Sequence, residues 1–412
     1  MEVAQHFLRR GTPCLVTLLD CSKAFDMVKF STLFKKLAVV GVPPIIVRVL
    51  AFVYEEQFAW VKWGRSKSKQ FSIVNGTRQG SVLSPSLFSL YMDELLGELR
   101  RLGVGCHISG VFFGAALYAD DLVLISPSRN AMQKMLSVCE RYAEDQNLVF
   151  STDPNPELSK TKCLYMVGKV RGRQVQYPKP VRLSGAELPW VKHANHLGHT
   201  LHEDCTMEED ARSKRMAFIS DSLDIRDMFA WAHPMQVLQA TQVYSTSFYG
   251  SMLWDLNGEE ANKVYRCWNT AAKLTWDVPR STFTFLVDKV LTGDLSSVRE
   301  GLLTRYAMYL QGLFKSKTKE MRVLANVASN DVRCTTGRNY SNLSRETGMD
   351  LRTGHKLSIK KAISQSNASA EEEWRVPLLA RLLGERREYR QADKKTEQMD
   401  RLIDEVCSST FE

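Results

Sequence analysis

The chain has 412 residues, of which 44% are hydrophobic and 25% charged. That composition is globular and excludes wholesale disorder, a collagen-like fibre and a membrane channel; the length implies two or three domains. A net charge of +9 and a pI near 9.0 point to a polyanionic partner, of which nucleic acid is the commonest, with a basic protein lacking any such partner as the plain alternative.

The nine cysteines are scattered without a Cys-x-x-Cys pair, and the start MEVAQHFLRRG lacks an apolar signal core. Both read as reduced thiols in an intracellular protein, cytosolic or nuclear. The most apolar stretch, Leu37 to Tyr54, is interrupted by Pro43-Pro44 and Arg48, so no membrane span is expected.

Leu15 to Leu19 is a short apolar run ending at Asp20 and predicts a buried strand. Ser31 or Thr32 is expected to cap a helix with Leu33, Phe34 and Leu37 on one face, stopped at Gly41. Phe58–Trp63 and Gln70–Val74 read as a hairpin joined by GRSKSK. After the loop NGTRQGS, Ser84 is expected to cap a helix entered through Pro85 and facing inward with Leu87, Phe88, Tyr91 and Leu95. Residues 111–125 predict a second hairpin tipped by Asp120-Asp121. Ser128 caps a helix whose Met132, Met135, Leu136, Cys139, Tyr142 and Ala143 follow the helical period. Short strands follow near Lys162–Val167 and Val181–Ser184, and from about residue 206 the pattern is helical. Strands mixed with helices, then helices alone, predict an α+β domain over 1–205, a helical region over 206–312 and a basic, then acidic helical region over 313–412.

Charge is unevenly spread. Residues 57–92 carry five basic residues and no acid, and residues 158–186 carry seven and none. Residues 313–361 carry eleven basic and four acidic residues, and 371–412 reverse to eight basic and eleven acidic.

The chemistry lies in the acids. Ionised carboxylates at strand ends in an apolar setting are costly unless a cation neutralises them. If the strand of Asp20 neighbours the hairpin tip, three carboxylates converge. Oxygen donors suit Mg²⁺, and two such ions roughly 3.5–4 Å apart suit in-line phosphoryl displacement. Taken alone, Asp-Asp is more readily a polar turn, since acids are common in turns. His193, His196, His199 and His202 recur every third residue, but an extended chain around Gly198 would point i and i+3 to opposite faces, so no metal site is expected there. No G-x-S-x-G, Walker or Rossmann loop is present.

Asp20-x-x-Lys23-Ala24-Phe25-Asp26, then Arg78-Gln79-Gly80-Ser81-Val82-Leu83-Ser84-Pro85, then Tyr118-Ala119-Asp120-Asp121 stand in an order that resembles the reverse transcriptases of non-LTR, LINE-type retrotransposons. Leu158-Ser159-Lys160-Thr161-Lys162-Cys163 resembles the lysine-bearing motif that follows them, and His196-Leu197-Gly198 the primer-grip turn. The resemblance implies a right-hand polymerase palm with an antiparallel sheet, a helical thumb after 206, and RNA-directed DNA polymerase activity with an RNA template, a DNA primer and dNTPs. It implies two Mg²⁺ ions, or Mn²⁺, on Asp20 and Asp120, with Asp121 the weaker ligand. Phe25 would be the steric gate against a ribose 2′-OH, although a core aromatic at a helix start reads equally well from the residues. Arg78, Gln79 and Gly80 would lie against the nucleotide, Lys160 or Lys162 would give a proton to pyrophosphate, and Leu197 and Gly198 would form the primer grip. Asp26 reads as a local helix cap.

The resemblance also implies fingers and an endonuclease domain ahead of Asp20, where only 19 residues stand in this sequence. The expectation is a truncated element that extends primers poorly by itself and leaves apolar surface exposed along the palm edge. The alternatives are a catalytically silent, nucleic-acid-binding remnant and a viral-type RNA-dependent RNA polymerase, against which Phe25 argues.

Overall fold

The computed structural model describes residues 1–353 apart from 79, 154, 156–158, 169–175, 283–285, 293–294 and 296, and beyond them 358–359, 361–363, 379–383 and 403. Gln79, part of the basic run 158–186 and most of the 371–412 region lie outside the described residues. Contacts divide the chain into Met1–Cys205 and Thr206–Glu412.

The first unit is built on strand β1 (Cys14–Asp20). Helix α1 (Glu2–Leu8) precedes it and packs against it. Helices α2 (Phe30–Val39) and α3 (Pro44–Glu55) follow. Next comes a β-ribbon made of β2 (Phe58–Ala59) paired with β5 (Phe71–Ser72), and β3 (Lys62–Trp63) paired with β4 (Ser66–Lys67). Helix α4 (Ser84–Arg101) leads to the small hairpin β6 (His107–Ile108) and β7 (Val111–Phe112), then to β8 (Ala115–Tyr118) and β9 (Asp121–Ser126). Helix α5 (Arg129–Gln146) and β10 (Lys162–Met166) complete the sheet, whose antiparallel order is β10-β1-β9-β8. Two hairpins close the unit, β11 (Val181–Leu183) with β12 (Ala186–Leu188), and β13 (His193–His196) with β14 (His199–His202).

Strand period and helix period meet in one core. Leu15 and Leu19 of β1 and Leu122 and Leu124 of β9 alternate onto the face shared with Phe88, Tyr91, Met92 and Leu95 of α4 and Met132, Met135, Leu136 and Cys139 of α5. Each such side chain, fully buried, contributes about 1.5–3 kcal/mol. Cys14, Val16 and Leu18, pointing to the other face, are buried as well, so β1 is covered on both sides and reads as an unbroken apolar run. Helix α5 starts on Ser128, whose hydroxyl accepts from Ala131 N, and stops at Asn147, which takes φ 58° as its left-handed cap.

Two expected caps are corrected. Ser84 is the first helical residue of α4, and its hydroxyl donates backward to Arg78 O at 2.5 Å. Helix α2 begins at Phe30 after Lys29, ahead of Ser31 and Thr32, because Lys29 is held as a bridge partner of Asn75. Asp26 ends a 3₁₀ turn, Ala24–Asp26. Apolar side chains face water on α3, where Ile45, Val49 and Phe52 form an exposed stripe. Among the described residues no helix is long and apolar enough to cross a membrane.

The second unit is helical, with α6 (Glu208–Met228), α7 (Pro234–Ser245) and α8 (Glu259–Trp276), then helices Val298–Phe314, Lys319–Ser329 and Thr335–Thr347. Trp254 and Trp268 are its largest buried side chains. Buried Asp210 accepts from Trp254 Nε1 at 2.8 Å and pairs with Lys214 at 2.9 Å, which satisfies a carboxylate that would otherwise be costly inside.

Gly76 is where the chain has no latitude. Its φ is +96°, and an added Cβ would lie 3.0 Å from Asp26 Cα and 3.1 Å from Asp26 O. Gly80 has φ +79° but open space around it. Urea unfolding should therefore show Gly76→Ala destabilised by roughly 2–3 kcal/mol and Gly80→Ala by about 1 kcal/mol; equal losses would mean that the clash at Gly76 is relieved at no cost.

Candidate active site

Strand register brings the acids together. Asp20 ends β1, Asp121 opens β9, and the two are direct cross-strand partners. Residues directly opposite in an antiparallel pair present their side chains on the same face. Tyr118 pairs with Asp121 at the end of β8, so Ala119 and Asp120 form the two-residue turn, with Ala119 at φ 52°. Three half-buried carboxylates thus share one edge of the sheet. Like charges facing each other across strands repel. Burial pushes the Asp121 carboxyl above the usual carboxylate range; the Asp120 and Asp20 charges push the same way, and His196 opposes them.

Strand β10 supplies the other neighbour of β1. Thr161 Oγ1 accepts from Asp20 N at 3.4 Å, and Ser151 N donates to Asp20 O at 2.8 Å. Lys160 Nζ stands 3.7 Å from Asp20 Oδ2 with its side chain 72% exposed, a pairing that water weakens greatly. Lys162 is half-buried and opposite Leu18.

Phe25 sits in the 3₁₀ turn after Asp20. Its ring is half-buried and stacks on Phe88, centroids 4.6 Å apart at 29°. Two backbone bonds tie the following loop to this turn, Thr77 N to Phe25 O at 2.7 Å and Gly76 N to Val28 O at 2.8 Å. Arg78 and Gly80, on that loop, are exposed. Leu197 and Gly198 form the β13–β14 turn with φ 48° and 75°.

That turn sets the histidines in two cross-strand pairs. The chain folds back at Gly198, and His193 faces His202 while His196 faces His199 across the hairpin. The pairs occupy opposite faces of the ribbon. His196 is half-buried, and burial lowers its pKa. Its influence on Asp121, like the Thr161 hydroxyl at Asp20, arises from tertiary placement that no local sequence signal carried.

An all-carboxylate edge matches the donor preference of Mg²⁺ or Mn²⁺, which take hard oxygens, better than that of softer metals. Among the described residues no three His, Cys, Asp or Glu side chains are gathered closely enough to hold an ion by themselves.

The family described as reverse transcriptase (RNA-dependent DNA polymerase) matches residues 2–201. Residues 2–201 are a reverse transcriptase domain. The domain is related to the Pol proteins of non-LTR retrotransposons. Over 193 residues it is 31% identical to the Pol polyprotein of type-2 retrotransposable element R2DM from Drosophila melanogaster, covering 46% of this chain and 17% of that protein. It is 29% identical over 180 residues to the R2 Pol polyprotein of Nasonia vitripennis, covering 44% and 17%. The matched part thus spans about a sixth of those relatives. A solved structure of Candida albicans telomerase with a fragment of telomeric RNA aligns over 72% of this chain and 52% of its own, at 11% identity and a TM-score of 0.42.

The domain's acidic edge has a measurable stability cost. The Asp121 carboxyl is raised in the folded state. The penalty is therefore absent below about pH 4, where the carboxyl is protonated folded or unfolded, and grows as pH rises through the folded value. In metal-free buffer at pH 7, Asp121→Asn should be more stable than the parent by a few tenths to about 1 kcal/mol, with the gain vanishing toward pH 3. A variant that is destabilised at pH 7 would show that the carboxylates attract rather than repel their surroundings.

Proposed function

We propose that the chain carries the RNA-directed DNA polymerase centre of a non-LTR retrotransposon, adding dNTPs to a primer 3′-OH on an RNA template. The observation that supports it most is the in-register pairing of Asp20 with Asp121 beside the Asp120 turn. Asp20 and Asp120 would hold two Mg²⁺ ions, with Asp121 adjacent. Bound there, the ions would supply Lewis-acid charge for a nucleotidyl transfer.

The protein's own groups account for the remaining needs. Phosphoryl transfer is mostly positioning and charge stabilisation. Phe25, stacked on Phe88 and tied through its carbonyl to Thr77, would offer an aromatic wall for a deoxyribose. Gly80 lets backbone approach a nucleotide without a Cβ in the way, beside Arg78 and Gln79. Lys160, solvent-exposed next to Asp20, would give a proton to departing pyrophosphate, with Lys162 as the more buried alternative. Leu197 and Gly198 would meet the primer end. Residues 206–312 would act as the thumb.

Primer extension on an RNA template with dNTPs and Mg²⁺ tests this. Asp120→Ala should lower the rate at least roughly 100-fold. Retained extension would dispose of the carboxylate centre. In the same assay Phe25→Val should raise the ratio of rNTP to dNTP incorporation by roughly 10-fold or more. An unchanged ratio with normal dNTP kinetics would make Phe25 a packing partner of Phe88 and nothing else.

A further inference from the structure

The ribbon Phe58–Ser72 presents to water what proteins ordinarily bury. Trp63 is 86% exposed, Trp60 and Phe71 each 51%, and Phe58 49%. Exposed apolar area of this density marks an interaction surface. Its charge is of one sign. Lys62, Arg65, Lys67 and Lys69 lie within eight residues, no acid occurs from 57 to 92, and the nearest acids in sequence, Glu55 and Glu56, are at the ribbon's root. Lys67 Nζ sits over the Trp60 ring at 4.3 Å, so a cation and an aromatic face are held together as one unit.

The ribbon is also anchored beside the Asp20 edge. Its exit strand runs through Ile73 and Val74 to Asn75, which bridges Lys29, and to Gly76 and Thr77, which bond to Val28 and Phe25. The register is fixed further up by Ser68, which donates its N–H to Val61 O at 2.9 Å and accepts Val61 N on its hydroxyl at 2.8 Å. The ribbon joined to the Phe25 turn thus carries Trp60 with Lys62 and Lys67 on one face and Trp63 on the other.

We propose that this ribbon binds the unpaired stretch of a single-stranded nucleic acid, with bases stacking on Trp60 on one face and on Trp63 on the other, and with Lys62, Arg65, Lys67 and Lys69 taking phosphates. The proposal rests on the polymerase reading above and names where its template strand is held. Aromatic side chains stack on any base, and cations spaced among them track the backbone, which is the chemistry of sequence-tolerant single-strand binding. Duplex is a poor fit, because its bases already stack on one another and offer no free face. A second copy of this chain is a poor fit too, because two such ribbons would bring four cations against four.

The test is fluorescence anisotropy with the full chain and a labelled strand of about 12 nucleotides, as single-stranded RNA, as single-stranded DNA of the same sequence, and as blunt duplex. Trp60→Ala/Trp63→Ala should weaken binding to both single strands about 10- to 100-fold while changing duplex binding less than about 2-fold, and Trp60→Phe/Trp63→Phe should restore most of the affinity. Circular dichroism and a thermal melt matching the parent establish that the variants fold. Alanine at the four cations should flatten the dependence of affinity on salt. Parent binding with an unchanged Trp60→Ala/Trp63→Ala variant overturns the platform and leaves the polymerase reading standing. Loss of equal size on duplex overturns it as well, and so does a concentration-dependent dimer of the parent that the tryptophan variants abolish. A parent chain that binds no nucleic acid overturns both readings together.

Discussion

Everything at the acidic edge depends on β1 being paired on both sides. With β9 on one flank and β10 on the other, a seven-residue strand fixes two distant segments at once. The pairing with β9 sets Asp20 opposite Asp121, and the pairing with β10 sets Lys162 opposite Leu18 and Thr17 opposite Cys163. Because side chains alternate along a strand, a slip of one residue would turn Asp20 into the core and Leu19 out of it. The apolar residues therefore hold the polar ones in place. Leu15, Leu19, Leu122 and Leu124, buried under α4 and α5, leave only one register in which their burial is kept, and that register is the one that sets Asp20 opposite Asp121.

The same arrangement works against the fold's own stability. Facing carboxylates on half-buried positions repel, and burial raises the one on Asp121. Thr161 and Ser151 bond to the Asp20 backbone rather than its carboxylate, the Lys160 ammonium is exposed and at the far end of pairing distance, and His196 only partly offsets the shift at Asp121. An unfavourable cluster kept in place by a well-packed core is the pattern expected of a functional site, where local consistency gives way to chemistry.

The fold was legible where periodicity was clean. The helices at 84–101 and 129–146, the hairpin tipped by the Asp pair and the strand before Asp20 follow from alternating or helical apolar spacing, and Ser128 reads correctly as a cap. Ser84 does not, because its hydroxyl finds a closer acceptor in Arg78 O than any helix N–H could be a donor. The turn at Leu197-Gly198 was visible through its glycine and the family resemblance, but the facing of His193 with His202 and of His196 with His199 was not, because cross-hairpin register is not carried by local spacing. The site was legible only in part. The acids and their places at strand ends are visible in sequence, but the pairing of residues a hundred positions apart is not. Neither is His196 beside Asp121, nor the stacking of Phe25 on Phe88.

The central claim is that the Asp20–Asp121 edge is a site for hard divalent cations. Titrating the full chain with Mn²⁺ and following free ion by electron paramagnetic resonance addresses it without requiring turnover. The account predicts saturable binding that Mg²⁺ displaces, that Asp20→Asn and Asp120→Asn each abolish, and that Asp26→Asn leaves intact. Equal Mn²⁺ uptake by the parent and by the Asp20→Asn and Asp120→Asn variants would contradict it.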